Sequence, residues 1–244
     1  TYFKDSILIK DSISSTSEIN SNTFYIGRTD TLQRTPPFKT SNKLVATLLE
    51  RLLNKRVQIA TETNHFNYKS LYATSKDSIL KKMLVVSDNM IAEQLLLQVG
   101  NEVANLYNVD SAISYSLKNH LYDLPQEPRW VDGSGLSRYN LFTPETIVKL
   151  LEKMYDEIPR SKLLNYFAVG GSSGTLKNWY GHSQRPYVFA KSGTLSNNYN
   201  LSGYLITKNG RILIFSCLNN HFKIPLAEVK TDIEKMLFNI YNQY

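Results

Sequence analysis

Residues 187–194 read YVFAKSGT: three strong strand formers and an alanine, then a lysine, two small residues and a hydroxyl. Tyr187, Val188 and Phe189 favour a pleated, half-buried backbone, so the run predicts a strand. Its tail sets a cation, a glycine and two hydroxyls where a strand edge can face a ligand. Taken alone, Lys-Ser-Gly-Thr is a weak signal, because a lysine beside small residues commonly closes a strand in water. A second stretch, Ser87-Asp88-Asn89, lying about a hundred residues earlier, gives it weight.

Beyond Thr194 the hydrophobic pattern alternates. Asn209-Gly210 is the dipeptide favoured by a two-residue hairpin turn, which predicts strands over 199–207 and 211–218, neighbours of the Tyr187 strand in an antiparallel sheet. Val229, Ile233, Met236, Leu237 and Ile240 then recur at helical spacing and predict a C-terminal amphipathic helix covering one sheet face.

Before Tyr187 the signals are mostly helical. Thr40 or Ser41 can cap a helix carrying Leu44, Val45, Leu48, Leu49 and Leu52, and Ser75 can cap a second helix reaching Leu84. A third follows Asn89, with Ile91, Leu95 and Val99 on one face and Gly100 as its stop, and residues 109–121 form a fourth. The clearest helix has Thr143 as cap, Pro144 at its first position, and Ile147, Leu150, Leu151 and Met154 as its buried stripe. Val57–Thr61 reads as a short strand. Residues 125–140, PQEPRWVDGSGLSRYN, are dense in prolines, glycines and small residues and read as an ordered loop.

Composition sets the outer bounds. A chain of 244 residues can bury one sizeable core, or one domain with a smaller appendage. No apolar run approaches the roughly 18 residues a membrane span needs. The net charge of +7 comes from scattered Lys and Arg with no run of five, so a nucleic-acid partner is not expected. Cys217, the single cysteine, excludes an internal disulfide and sits in the apolar run ILIFSCL. His65, His120, His182 and His221 are isolated, which leaves no metal-ligand spacing, and no cofactor is implied. Thr1 follows no methionine or leader, as in a mature or excised piece.

Two serine-bearing stretches stand out. Gly170-Gly171-Ser172-Ser173-Gly174 matches the Gly-x-Ser-x-Gly elbow of the α/β-hydrolases, but no Asp or Glu lies between Ser172 and His221, so the elbow fails on chain order. Ser87 and Asn89 would point about 200° apart on a continuous helix. For both to face one cleft, the backbone must turn between a helix ending near Leu84 and another starting after Asn89; otherwise Ser87 simply caps the second helix.

Ser-Asp-Asn followed by Lys-Ser-Gly-Thr on a strand resembles the second and third motifs of the penicillin-recognising serine enzymes. Four blocks narrow this: MLVVSDNMIAEQLL (83–96), DGSGLSRYNLFTP (132–144), GGSSGTLKN (170–178) and AKSGTLSNNYNLSGYL (190–205). In that order they resemble the DacB-type D-alanyl-D-alanine carboxypeptidase/endopeptidase family, the S13 serine peptidases, over about residues 36–222. The resemblance implies an α+β, transpeptidase-like fold of the serine β-lactamase and penicillin-binding class. In it, a cleft separates a five-stranded antiparallel sheet, flanked by helices, from a helical subdomain. It implies peptidoglycan stem peptides as substrates, β-lactam antibiotics as inhibitors, and a place outside the cytoplasmic membrane.

Carried onto this chain, the resemblance makes Ser87 the relay of a proton to the leaving amine and Asn89 the holder of a substrate amide. Lys191 supplies positive charge, Ser192 and Thr194 bind the terminal carboxylate, and the Thr194 N–H is half of an oxyanion hole. Gly193 lets the substrate backbone approach. Asp88 braces the turn, and residues 132–138 either pack as a loop or brace the cleft. The physics of a carboxylate agrees, since a cation and short hydroxyl donors on a rigid strand hold it well.

The chain departs from that pattern at the first motif. Its one Ser-x-x-Lys, Ser78-Ile79-Leu80-Lys81, would lie on the opposite face of a continuous helix from Ser87 and about 13.5 Å away. In the family the nucleophile lies near the mature N-terminus, ahead of a large inserted domain. Residues 1–35, polar with short apolar pieces at 7–9 and 24–26, then read as two or three strands at the returning end of that insert, and residues 36–244 as the peptidase domain without its nucleophile segment. A catalytically silent relative that keeps the cleft as a cell-wall binding or scaffold protein fits the same absence.

Overall fold

The structure, a computed structural model, describes residues 6–11, 16–18, 21–28, 38–60 and 72–244. Two compact units divide the chain, Thr1–Ser70 and Leu71–Tyr244. The boundary expected at Pro36-Pro37 lies outside the described residues.

In the first unit, β1 (Ile7–Lys10), β2 (Thr16–Ser17) and β3 (Phe24–Gly27) form a small sheet in the order β1-β3-β2, with β1 parallel and β2 antiparallel to β3. Helix α1 (Asn42–Leu53) starts at Ser41, whose hydroxyl accepts the Leu44 N–H at 3.1 Å. Val57–Ala60 form no strand. The Val57 N–H instead donates to the Glu50 carboxylate at 3.0 Å, so a side chain of α1 takes the place of a ladder partner.

The second unit begins with α2 (Lys76–Val86), α3 (Asn89–Ala104) and α4 (Val109–Asn119), each with the side chain before it accepting an N–H of its first turn: Ser75, Asp88 and Asn108. Gly100 does not end α3, which runs to Ala104 and closes on Asn105 in the left-handed region. The glycine has a packing role: a Cβ there would lie 2.3 Å from the Asn108 carbonyl oxygen, where the entry to α4 crosses. Helices α5 (Pro144–Glu157) and α6 (Arg160–Tyr166) follow, α5 with the expected Thr143 cap and first-turn proline.

The sheet has the order β4 (Ala168–Val169), β5 (Val188–Leu195), β6 (Asn198–Ile206), β7 (Ile212–Asn220), antiparallel throughout. These are four strands among the described residues, where the resemblance implied five. The β6–β7 hairpin closes on a three-residue loop, not the two-residue turn that Asn209-Gly210 suggested. Thr207 pairs with Arg211, and the Gly210 N–H returns to the Thr207 carbonyl. Gly210 alone takes positive φ, +81°, the geometry of a type I turn with a glycine bulge.

Helices cover both faces. Leu201 and Leu205 of β6 and Val188 and Ala190 of β5 pack beneath Val229, Ile233 and Leu237 of α7 (Leu226–Gln243). Tyr204, one residue out of phase, meets Leu151, Leu163 and Phe167 on the opposite face and donates its hydroxyl to the Leu151 carbonyl at 2.7 Å. Period-two alternation in β6 thus sorts its residues between two cores.

Candidate active site

Helix α2 ends at Ser87, whose backbone is left-handed (φ 58°, ψ 54°), and Asp88 caps α3 by accepting the Ile91 N–H at 3.0 Å. Two residues therefore separate the helices, and the turn required between Leu84 and Asn89 is present. A serine in the left-handed region is held there against an intrinsic cost of about 1–2 kcal/mol. Asn89 is the first residue of α3 and is exposed. Among the described residues no hydrogen bond joins its side chain to Ser87, Lys191 or Ser192.

Across from that turn, Lys191 Nζ donates to Ser87 Oγ at 2.6 Å and to the Ser192 carbonyl. Residues 104 positions apart thus meet directly. Lys191 is half-buried, and burial pushes its ammonium below the usual lysine range. The site holds a cation in poor solvent against a neutral hydroxyl, which leaves its charge available to an incoming anion.

The strand edge beside Lys191 is open. The Tyr187 carbonyl accepts from Ile206 of β6, and the Val188 carbonyl accepts from Gly170 on the β4 side. Backbone groups alternate between the two edges of a strand, so Ser192 and Thr194 direct their N–H and C=O towards the β4 side. Strand β4 pairs only as far as Ala190. The Thr194 N–H therefore faces an edge that β4 leaves free, where it can meet a developing oxyanion. At Gly193 a Cβ would find nothing within 4 Å, which leaves room for a ligand backbone.

A cleft of about 680 Å³ adjoins this edge, with Lys191, Ser192, Gly193 and Thr194 on one wall and apolar Leu84, Leu150 and Met154 among its other lining residues. The loop 132–140 forms another wall and is braced at several positions. Asp132 accepts the N–H groups of Gly135 and Ser137 at 2.6 and 2.8 Å. Glu93 of α3 accepts those of Gly133 and Ser134 at 3.2 and 2.9 Å. Arg138 reaches the Ser196 carbonyl at the β5–β6 turn, 3.1 Å away. The role of this loop stays open in the sequence, and Glu93 has no local signal, because its backbone partners lie 40 and 41 residues further on.

Ser192, 8% exposed, donates its hydroxyl to Thr175 Oγ1 at 2.7 Å, a partner not singled out in the sequence. Ser172 lies in a loop between the two-residue β4 and the 3-10 turn Gly174–Leu176, without the strand–helix setting of a hydrolase elbow. Ser78 sits in the first turn of α2, hydrogen-bonded to Ser75, and Lys81 binds Asn165. With α2 unbroken, the Ser-x-x-Lys pair stays away from Lys191.

Residues 43–242 match the family described as D-Ala-D-Ala carboxypeptidase 3 (S13). The chain is 31% identical over 179 residues to D-alanyl-D-alanine carboxypeptidase DacB of Haemophilus influenzae, covering 68% of this chain and 36% of that protein. It is 30% identical over 154 residues to penicillin-sensitive carboxypeptidase A of Dictyostelium discoideum, covering 57% and 28%. Among solved structures, penicillin binding protein 4 (dacB) from Haemophilus influenzae, complexed with a β-lactam, superposes with a TM-score of 0.69 at 22% identity, over 97% of this chain and 63% of that one. The TLA-1 β-lactamase shares the fold more distantly, at a TM-score of 0.52 and 18% identity over 68% of this chain and 63% of that one. The chain spans about a third of the length of the curated relatives it matches. On the strength of the match over 43–242, and in accord with the Ser-Asp-Asn turn facing the Lys-Ser-Gly-Thr edge, this chain belongs to the S13 family of D-Ala-D-Ala carboxypeptidases.

Proposed function

We propose that these residues form the substrate-binding part of a serine-type D-Ala-D-Ala carboxypeptidase/endopeptidase that acts on peptidoglycan stem peptides outside the cytoplasmic membrane and is inhibited by β-lactams. The observation that carries the reading is the 2.6 Å hydrogen bond between Lys191 and Ser87 beside an unpaired strand edge. A serine attacks the carbonyl between two D-alanines, and the scissile C–N bond breaks to give an acyl-enzyme and free D-alanine, or a longer amine in an endopeptidase. Ser87 passes a proton to the leaving nitrogen, and Lys191 keeps that hydroxyl polarised. Asn89 holds a substrate amide, Ser192 and Thr194 bind the terminal carboxylate, and the Thr194 N–H stabilises the oxyanion. Water then releases the acyl group.

The nucleophile in this reading comes from a Ser-x-x-Lys segment encoded ahead of Thr1, with residues 1–35 the end of an inserted domain and 36–244 the rest of the peptidase domain. Two observations support it: the one Ser-x-x-Lys here is remote from Lys191, and the cleft wall of Leu84, Leu150 and Met154 offers apolar surface beside the site. The test is labelling with a fluorescent penicillin. The intact gene product should be acylated, and the 244-residue chain alone should not. An intact product that binds without acylation would instead mark a catalytically silent cell-wall binding or scaffold protein. Acylation of the 244-residue chain itself would place the nucleophile within it and end the reading.

A further inference from the structure

The loop 170–176, GGSSGTL, fails as a hydrolase elbow, yet it occupies the gap between the end of α2 and the open part of β5. Gly174 has a positive φ of 57°, and a Cβ on it would lie 2.1 Å from the Val85 carbonyl oxygen, two residues before Ser87. Only a glycine lets the loop come so close. Leu176 is fully buried in the core beneath α7. Thr175 lies between these two anchors, exposed, with its backbone fixed on either side. Its Oγ1 accepts the Ser192 hydroxyl at 2.7 Å.

A serine hydroxyl has one proton to give and two lone pairs. In the structure the Ser192 proton is engaged with Thr175, while Ser192 itself lines the cleft. A carboxylate offers only acceptors, so it binds Ser192 only if that proton turns towards the cleft. The Ser192 oxygen then needs a donor, and the Thr175 hydroxyl, 2.7 Å away, can rotate to supply one. The bond between the two reverses without either side chain leaving its place.

We propose that Thr175 is a positioning residue for Ser192, the two hydroxyls forming a reversible relay that delivers the Ser192 proton to a terminal carboxylate. The inference rests on the reading that Ser192 meets that carboxylate. It makes Thr175 part of how the site tells an anionic chain end from a neutral one, because a carboxamide can donate to Ser192 with the relay left as it stands.

The test measures kcat/KM of the intact gene product on a peptide ending in D-Ala-D-Ala and on its C-terminal carboxamide. Thr175→Val keeps the shape and removes the hydroxyl, and should lower the carboxylate-to-carboxamide ratio about three- to ten-fold, the share of one hydrogen bond. Thr175→Ser should hold the ratio within about two-fold, and Ser192→Ala should mask the Thr175→Val effect in the double variant. Equal losses on both peptides, or additive losses in the double variant, overturn the proposal. Thr175→Ala reads the same ratio if the valine variant does not fold. A wild-type protein indifferent to the carboxylate refutes the carboxylate reading and this inference with it, which is distinct from a wild-type preference that Thr175→Val leaves unchanged.

Discussion

The two halves of β5 obey different rules. Val188 and Ala190 are fully buried, and this half of the strand has β6 on one edge and β4 on the other. Lys191 to Leu195 keep the β6 pairing and lose the β4 pairing, and their exposure rises to Gly193 and Thr194. A strand buried on two faces and paired on two edges is nearly all stability. The same strand freed on one edge, with a half-buried cation and backbone groups facing a cleft, is on the function proposed here a ligand surface held rigid by its own continuation.

That division can be broken at either end. In the first half the largest effect should come from below: Leu237→Ala empties the α7 contact under Val188 and Ala190, and should cost about 2–5 kcal/mol in urea unfolding. Penicillin acylation of the intact gene product, at temperatures where the variant is folded, should stay within about two-fold of wild type. A large change in acylation would mean that the two halves are not separable.

In the second half the order reverses. Lys191→Met should reduce penicillin acylation of the intact gene product about 10²-fold, the loss expected when one preorganised electrostatic contact to the reacting group is removed, with stability at or above that of wild type. Burial lowers the pKa of Lys191, so at neutral pH its charge weakens the folded state. The unfolded chain holds the proton up to the ordinary lysine range, and the folded chain gives it up earlier. Wild-type stability relative to Lys191→Met should therefore rise as pH climbs through the depressed pKa towards about 10.5, while acylation falls over the same window. Urea unfolding and labelling across that pH range check both signs.

The sequence was most legible where local chemistry decides the outcome. Ser41, Ser75 and Thr143 could be read as caps because a hydroxyl before an apolar helical stripe has a local reason to be there. The Ser87 turn was legible only in combination with Lys191, since each motif alone has an ordinary explanation. Gly100 misled because its reason is non-local: the Asn108 backbone crosses it, and no pattern within α3 records that. Thr175 and Glu93 were missed for the same cause. Their partners, Ser192 and the Gly133–Ser134 backbone, are 17 and about 40 residues away. Val57–Ala60 has strand-like composition, but the Glu50 side chain took the N–H that a ladder would have used.

The smallest predicted effect tests how the Ser87 turn is held. Asp88 accepts the Ile91 N–H, and its contact with Lys82 is 3.9 Å long and reaches an exposed lysine, so the cap stabilises the turn more than the ion pair does. Asp88→Ala should cost about 1 kcal/mol in urea unfolding, and Asp88→Asn, which caps as well, only a few tenths. If Asp88 only braces the turn, Asp88→Asn should leave acylation unchanged. Asp88→Ala should slow it modestly, because loosening the first turn of α3 releases the left-handed backbone that aims Ser87 at Lys191. Loss of acylation in Asp88→Asn with stability intact would give the carboxylate itself a role in the reaction. The connector would then belong with Lys191 to Leu195 as reacting surface, not with the scaffold that supports it.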